Sequence, residues 1–254
     1  MKRTTILLCA SLCVLAGCAG SDSQLRSKPH PERAAEINLE LGVDYLRKGN
    51  LEQAKEKIER SLDQDGRSAR AHSVAGMLYA RLGDEKKAES HFDRAISLDS
   101  DNPEIRNNYA VYLCQGGAYS RGERQALAAA ENALYKTPEA ALLNAGNCAR
   151  SAGDLKRAEE HYRRALQLRP RFAEALYLMA EMQFQQTQYI SARAFLQRFM
   201  EVGRTSPATL WLGHRIERSL GNRAEAQHYA RRLKTEYPNA AQTKELLESE
   251  RNAG

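Results

Sequence analysis

The chain has 254 residues, 42% of them apolar and 28% charged, with a mean hydropathy of −0.63 and a formal charge of +6. It is too rich in alanine and leucine to be disordered, and its 16 glycines and seven scattered prolines exclude collagen-like and mucin-like classes. No apolar run reaches the ~18–20 residues that a bilayer-spanning helix needs, which excludes a polytopic membrane protein.

The first segment reads as an address. Lys2 and Arg3 form a short basic region, Ile6 to Ala16 is apolar, and Leu15-Ala16-Gly17-Cys18 resembles a bacterial lipobox. Small residues before the cut let the chain lie extended in a signal peptidase, and the Cys18 thiol is the atom that takes the lipid. The expectation is a lipoprotein signal peptide over 1–17 and an acylated Cys18 as the mature N-terminus. A tether rich in Ser, Gly, Asp, Lys and Pro follows over 18–33. Ala19 is not the aspartate that marks inner-membrane retention in many Gram-negative lipoproteins. The expected location is therefore the periplasmic face of the outer membrane, held through acyl chains on Cys18.

Beyond the tether the sequence repeats. Gly49, Gly83 and Gly117 are 34 residues apart, as are Ala54 and Ala88, and again Ala158, Ala192 and Ala226. Pro103, Pro138, Pro170, Pro207 and Pro238 fall at the junctions. Within the units, Leu41-Gly42 with Tyr45 and Ala75-Gly76 with Tyr79 recur at the same spacing, and the small residues return as Ala145-Gly146, ahead of Tyr162, and as Gly213, ahead of Gly221. This period and pattern resemble the tetratricopeptide repeat, a helix–turn–helix unit. The resemblance implies an all-α fold: a right-handed solenoid of six such helix pairs plus a C-terminal capping helix. The repeats are expected over 34–239, at about 35–68, 69–102, 103–138, 139–172, 173–206 and 207–238, with 240–254 forming the capping helix and tail.

Each position has a physical reason. The small residue near position eight marks a close crossing of the two helices, with the alanine near position twenty expected on its other side. The glycine near position fifteen follows the first helix and can take the left-handed conformation there. Ala88, Phe92, Ala95 and Ile96 lie at i, i+4, i+7 and i+8, one helical face. In the third unit, 116–122 holds three glycines, so a turn about four residues longer is expected. After Pro238, Ala241 to Arg251 is expected to cap the array with Thr243, Leu246 and Leu247 turned inward.

Catalytic and cofactor motifs are absent. No nucleophile elbow, zinc-protease helix or dinucleotide fingerprint is present, and Gly117 and Gly122 are followed by Glu123-Arg124 where a P-loop needs Lys-Ser/Thr. The expectation is a protein that is not an enzyme, with no catalytic residue, no metal ligand and no cofactor. His72 and His161 are expected to be packing or surface residues. With Cys9 and Cys13 in the signal and Cys18 acylated, Cys114 and Cys148 are the two thiols left, on first helices of consecutive units. They either form a structural disulfide, in keeping with an oxidising compartment, or stand as two separate buried thiols.

Binding is expected on the concave face, which in such arrays is lined by the first helices. Leu39, Val43 and Leu46 form an apolar stripe there in the first unit, either an exposed groove or core. Asn107 and Asn147, with Asn108 and Asn144, either clamp a peptide backbone or bond helix to helix. Trp211, Arg215 and Arg218 make the far end basic, suited to an acidic partner or simply solvated.

The lipobox, six repeats, Leu41-Gly42-Val43-Asp44-Tyr45, Asn107-Asn108-Tyr109 with Cys114, and Cys148 together resemble the type IV pilus biogenesis lipoproteins of the PilF/PilW type. That resemblance implies a pilotin, which binds the pilus secretin through its first repeats and promotes its outer-membrane localisation and multimerisation. The implied partners are the secretin and, through acylated Cys18, outer-membrane lipid, with no nucleic acid and no small-molecule substrate. A periplasmic adaptor scaffolding cell-wall hydrolases or an outer-membrane assembly complex is the rival reading.

Overall fold

The structure, a computed structural model, describes residues 31–252; the 1–17 signal, Cys18 and the tether up to residue 30 lie outside the described residues. Among the described residues there are thirteen α-helices and no strand. The first three pairs are α1 (Pro31–Arg47) with α2 (Leu51–Gln64), α3 (Ala69–Arg81) with α4 (Glu85–Leu98), and α5 (Pro103–Gln115) with α6 (Tyr119–Glu131). The next three are α7 (Pro138–Ser151) with α8 (Leu155–Leu168), α9 (Ala173–Gln185) with α10 (Tyr189–Met200), and α11 (Pro207–Ser219) with α12 (Arg223–Glu236). A last helix, α13 (Ala241–Arg251), follows. Helix α1 starts at Pro31, so the last three residues assigned to the tether are its first turn. None of the thirteen is long and apolar enough to cross a membrane.

Local chemistry sets the helix ends. The side chains of Ser68, Asp84, Asn102, Asp154, Ser206 and Asn222 accept hydrogen bonds from backbone N–H groups in the first turns of α3, α4, α5, α8, α11 and α12. Five of the six intra-pair turns place a glycine at φ between +77° and +83°, where a Cβ is disfavoured. The fifth pair has Thr187 there instead, at φ +60°.

Packing inside each pair departs from expectation in its detail. The alanines near position twenty are buried, but the side chain lying on the small residue comes from sixteen residues further on. A Cβ added to Gly42, Gly76, Gly146 or Gly213 would lie 2.6, 2.7, 2.4 and 2.7 Å from Ile58, Phe92, Tyr162 and Tyr229 respectively. The second helix therefore drops a bulky side chain into the gap that a missing Cβ leaves in the first.

The third pair corrects the expected long turn. Its turn is the usual three residues, because α6 begins at Tyr119. Gly122 belongs to that helix and is buried: a Cβ there would meet Cys114 Sγ at 2.2 Å and the Ala110 carbonyl at 2.9 Å. The extra length lies instead after α6, at 132–137. Helix α6 packs on α7 as broadly as on α5, which no other second helix does with its successor. Fully buried alanines let the two approach: Ala126 and Ala129 from α6, Ala141, Ala145 and Ala149 from α7.

At the C-terminal end α13 buries Thr243 and Leu246 against the last pair, beside Leu210 and Leu233. Leu247, expected to face inward, is 44% exposed: it lies one residue, about 100° of helix, past Leu246.

Candidate functional site

The first helices of the pairs, α1, α3, α5, α7, α9 and α11, stand in a row, and a different contact ties each neighbouring two. Arg70 on α3 pairs with Glu36 on α1, and Arg81 Nη1 donates to the Leu46 carbonyl at 2.7 Å. Asn108 Nδ2 on α5 donates to Ser73 Oγ on α3 at 3.2 Å. Asn144 Nδ2 on α7 donates to Asn107 Oδ1 on α5 at 2.9 Å, and Cys114 and Cys148 join the same two helices as a disulfide with Cα atoms 5.4 Å apart. Arg150 on α7 reaches Glu181 on α9 at 2.9 Å. Arg215 on α11 lies over the Phe184 ring of α9, 4.4 Å from its centroid. These links hold the row at fixed spacing with no shared sheet or single core.

The apolar stripe of the first repeat divides. Leu39 is fully buried and Leu46 is 5% exposed, both packed with Ala54, Ile58, Ala71 and Val74. Leu39 is core, because the face of α1 that carries it is the one α2 and α3 cover, while Leu46, almost as buried, reaches the surface only at the edge of the groove beside Val43. Val43, 40° around the helix, stays half-buried. With Arg47, Ser73, Met77, Arg81 and Asn108 it lines a groove of about 340 Å³ across α1, α3 and α5. The groove has an apolar floor and a rim able to donate hydrogen bonds.

The asparagines are partly spent. Asn107 takes the bond from Asn144, and Asn147 Oδ1 accepts from Tyr162 Oη at 2.8 Å. Burial pushes the Tyr162 pKa up to about 12, so its hydroxyl remains a donor at any physiological pH. Among the described residues the Nδ2 groups of Asn107 and Asn147 have no partner, which leaves each half-buried side chain a free NH2 to donate to a backbone carbonyl. At the far end Trp211, Phe184, Tyr177 and Arg215 line a second cleft of about 260 Å³ with Glu181 and Glu245. Arg215 is already occupied by the Phe184 and Trp211 rings, whereas the Arg218 guanidinium makes no hydrogen bond or ion pair among the described residues.

Several polar groups escaped the sequence reading. Glu123 and Glu217 are 5% and 4% exposed. The first is bound by His161 and Arg157, the second by Arg193 Nε at 2.8 Å, each from a neighbouring pair. His72 and His91 meet through their Nδ1 atoms at 3.0 Å. Tyr177 and Phe184, at i and i+7 on α9, were legible as a surface aromatic stripe facing Trp211 one repeat on. Among the described residues no group of three or more His, Cys, Asp or Glu could hold a metal ion.

Two family models, both described as tetratricopeptide repeat, match this array, one over residues 39–103 and 115–171, the other over 149–208. The chain belongs to the tetratricopeptide-repeat family. Within it, the type IV pilus assembly protein PilF of Pseudomonas aeruginosa is 27% identical over 234 residues, spanning 91% of this chain and 93% of PilF. A solved structure of Pseudomonas aeruginosa PilF superposes with a TM-score of 0.75 at 26% identity, covering 86% of this chain and 99% of that one. A crystal structure of PilW, described as a widely conserved type IV pilus biogenesis factor, superposes with a TM-score of 0.77 at 28% identity, covering 84% and 98%. The likeness thus extends over most of this chain and nearly all of each relative, and is not confined to one repeat.

Proposed function

We propose that this protein serves type IV pilus biogenesis as a lipid-anchored pilotin. Its first repeats bind the pilus secretin and promote the secretin's localisation and multimerisation in the outer membrane. The observation that carries the reading is the end-to-end likeness to PilF and PilW, with over 90% of both chains aligned to PilF in sequence. Two further features support it. Leu15-Ala16-Gly17-Cys18 would supply the acyl anchor. The groove around Val43 and Met77, with the free amides of Asn107 and Asn147 beyond it, offers apolar contact and backbone hydrogen bonding to an extended or helical secretin segment. The disulfide between Cys114 and Cys148 would brace that face in an oxidising periplasm.

Deleting the gene and blotting for heat-resistant secretin multimers tests the reading, with a twitching assay alongside. Loss of multimers and of twitching is expected, and normal multimers would refute it. Cys18→Ser should mislocalise the protein, and Val43→Glu should abolish secretin capture while leaving the helical signal intact.

A further inference from the structure

The two ends of the array differ. Helix α13 covers the last pair, whereas among the described residues nothing covers α1 on the side away from α2 and α3. Ile37 and Leu41 lie on that side, 51% and 43% exposed. Their places are taken one repeat on by Ala71 and Ala75, and two repeats on by Ile105 and Tyr109, none of which is more than 4% exposed. Those residues are buried because the second helix of the preceding pair packs there: Phe92 of α4 stacks on Tyr109, with ring centroids 5.2 Å apart. The outer side of α1 is therefore a helix-docking face without its helix. It is not the groove around Val43, since Leu41 and Val43 are two residues, about 200° of helix, apart. We propose that a second copy of this chain docks there, α1 against α1 and antiparallel, closing a two-fold dimer.

The segment before α1 does not suit this face. Between Ala19 and His30 the one large apolar side chain is Leu25, which gives no stripe to lay along two helical turns. A second α1 does suit it. Reversing one helix about an axis level with Leu39 brings Ile37 opposite the partner's Leu41, and Ala34 opposite the partner's Tyr45. The charges match in the same register. Arg33 and Asp44 project on one flank of the face, at its two ends, so each Arg33 meets the partner's Asp44. Arg33 is exposed and makes no ion pair or hydrogen bond among the described residues. Asp44 is held only by Lys48, at 2.7 Å in open solvent. Glu40, on the same flank and likewise without a partner among the described residues, adds to the attraction for Arg33.

The same patch serves both copies, so the contact uses itself up and association stops at two. Two helical turns a side bury less than the ~1,200 Å² of a stable interface, so the dimer is weak, with a Kd of about 10–100 µM. The secretin groove stays open in it, because that groove lies on the far side of α1.

The test is sedimentation of the mature chain, residues 18–254 with Cys18→Ser, which leaves no thiol outside the Cys114–Cys148 bridge to cross-link copies. Monomer and dimer should exchange across that concentration range, with nothing larger. Ile37→Glu/Leu41→Glu replaces two exposed side chains, and should leave a monomer whose helical signal is unchanged. Arg33→Glu and Asp44→Arg should each weaken self-association by about tenfold. An equimolar mixture of these two variants should associate as the wild type does, because only the mixed dimer sets opposite charges against each other at both ends. Rescue in the mixture fixes the antiparallel register, and a loss of folding could not imitate it. A monomer at every concentration, or a polymer longer than two, would overturn the proposal. So would a dimer undiminished by Ile37→Glu/Leu41→Glu, or a mixture no stronger than its members.

Discussion

Glu123 on α6 and His161 on α8 meet at 2.9 Å inside the junction of the third and fourth repeats, with both side chains almost wholly buried. Arg157 Nη1 takes the other carboxylate oxygen at 3.1 Å. Removing one member of such a cluster leaves the other buried and unpaired. Glu123→Leu should therefore destabilise by about 3–5 kcal/mol, whereas Glu123→Leu/His161→Leu should recover most of that loss. Urea midpoints of the three proteins check it, and a double variant no more stable than the single would show that the pair is not coupled.

Thr187 occupies, at φ +60°, the turn position that glycine holds in the other five repeats. A β-branched residue is strained in that conformation, and nothing in the turn needs its side chain. Thr187→Gly should raise stability by roughly 1 kcal/mol, read as a higher melting temperature.

The Cys114–Cys148 link closes a loop with a sequence separation of 34. In the chain-entropy treatment, opening such a loop costs about 3–4 kcal/mol. Cys114→Ser/Cys148→Ser and the reduced wild-type chain should therefore share one lowered urea midpoint. Alkylation under denaturing, non-reducing conditions should modify neither cysteine; two modified cysteines would contradict the bridge.

Burial holds the pKa values of both His72 and His91 below the usual histidine value, and in His91 the neighbouring His72 adds to the effect. The unfolded chain then binds more protons than the folded one in that range. The stability this pair contributes is complete above about pH 6.5 and falls as the pH drops toward the folded-state values. The melting temperature should decline by a few degrees between pH 7.5 and 5. In His72→Phe/His91→Phe that part of the decline should vanish.

The array was legible because its signals are local. Gly49, Gly83, Gly153 and Gly221 announce turns by their own backbone freedom, and Asn222 or Asp154 announces the next helix by its side chain. What failed was long-range. Gly122 looked like loop glycine because its reason, the Cys114 sulfur pressed against it, lies across a helix pair. Leu39 and Leu46 showed a stripe, but periodicity gives the direction of a face without saying what covers it. The asparagines of α5 and α7 bond to one another across 37 residues, a partner choice that no single-helix pattern carries.

The rungs that tie α1 through α11 differ in kind: one is covalent, and the others are ion pairs, hydrogen bonds from asparagine side chains and a cation over a ring. Under tension along the chain, such as an anchored end pulled against a bound partner, each repeat can peel from its neighbour in turn. Peeling stops where the covalent rung spans α5 and α7. The contour between Cys114 and Cys148 stays out of the extension, so the protein would lengthen in steps from either end while its middle behaves as a knot.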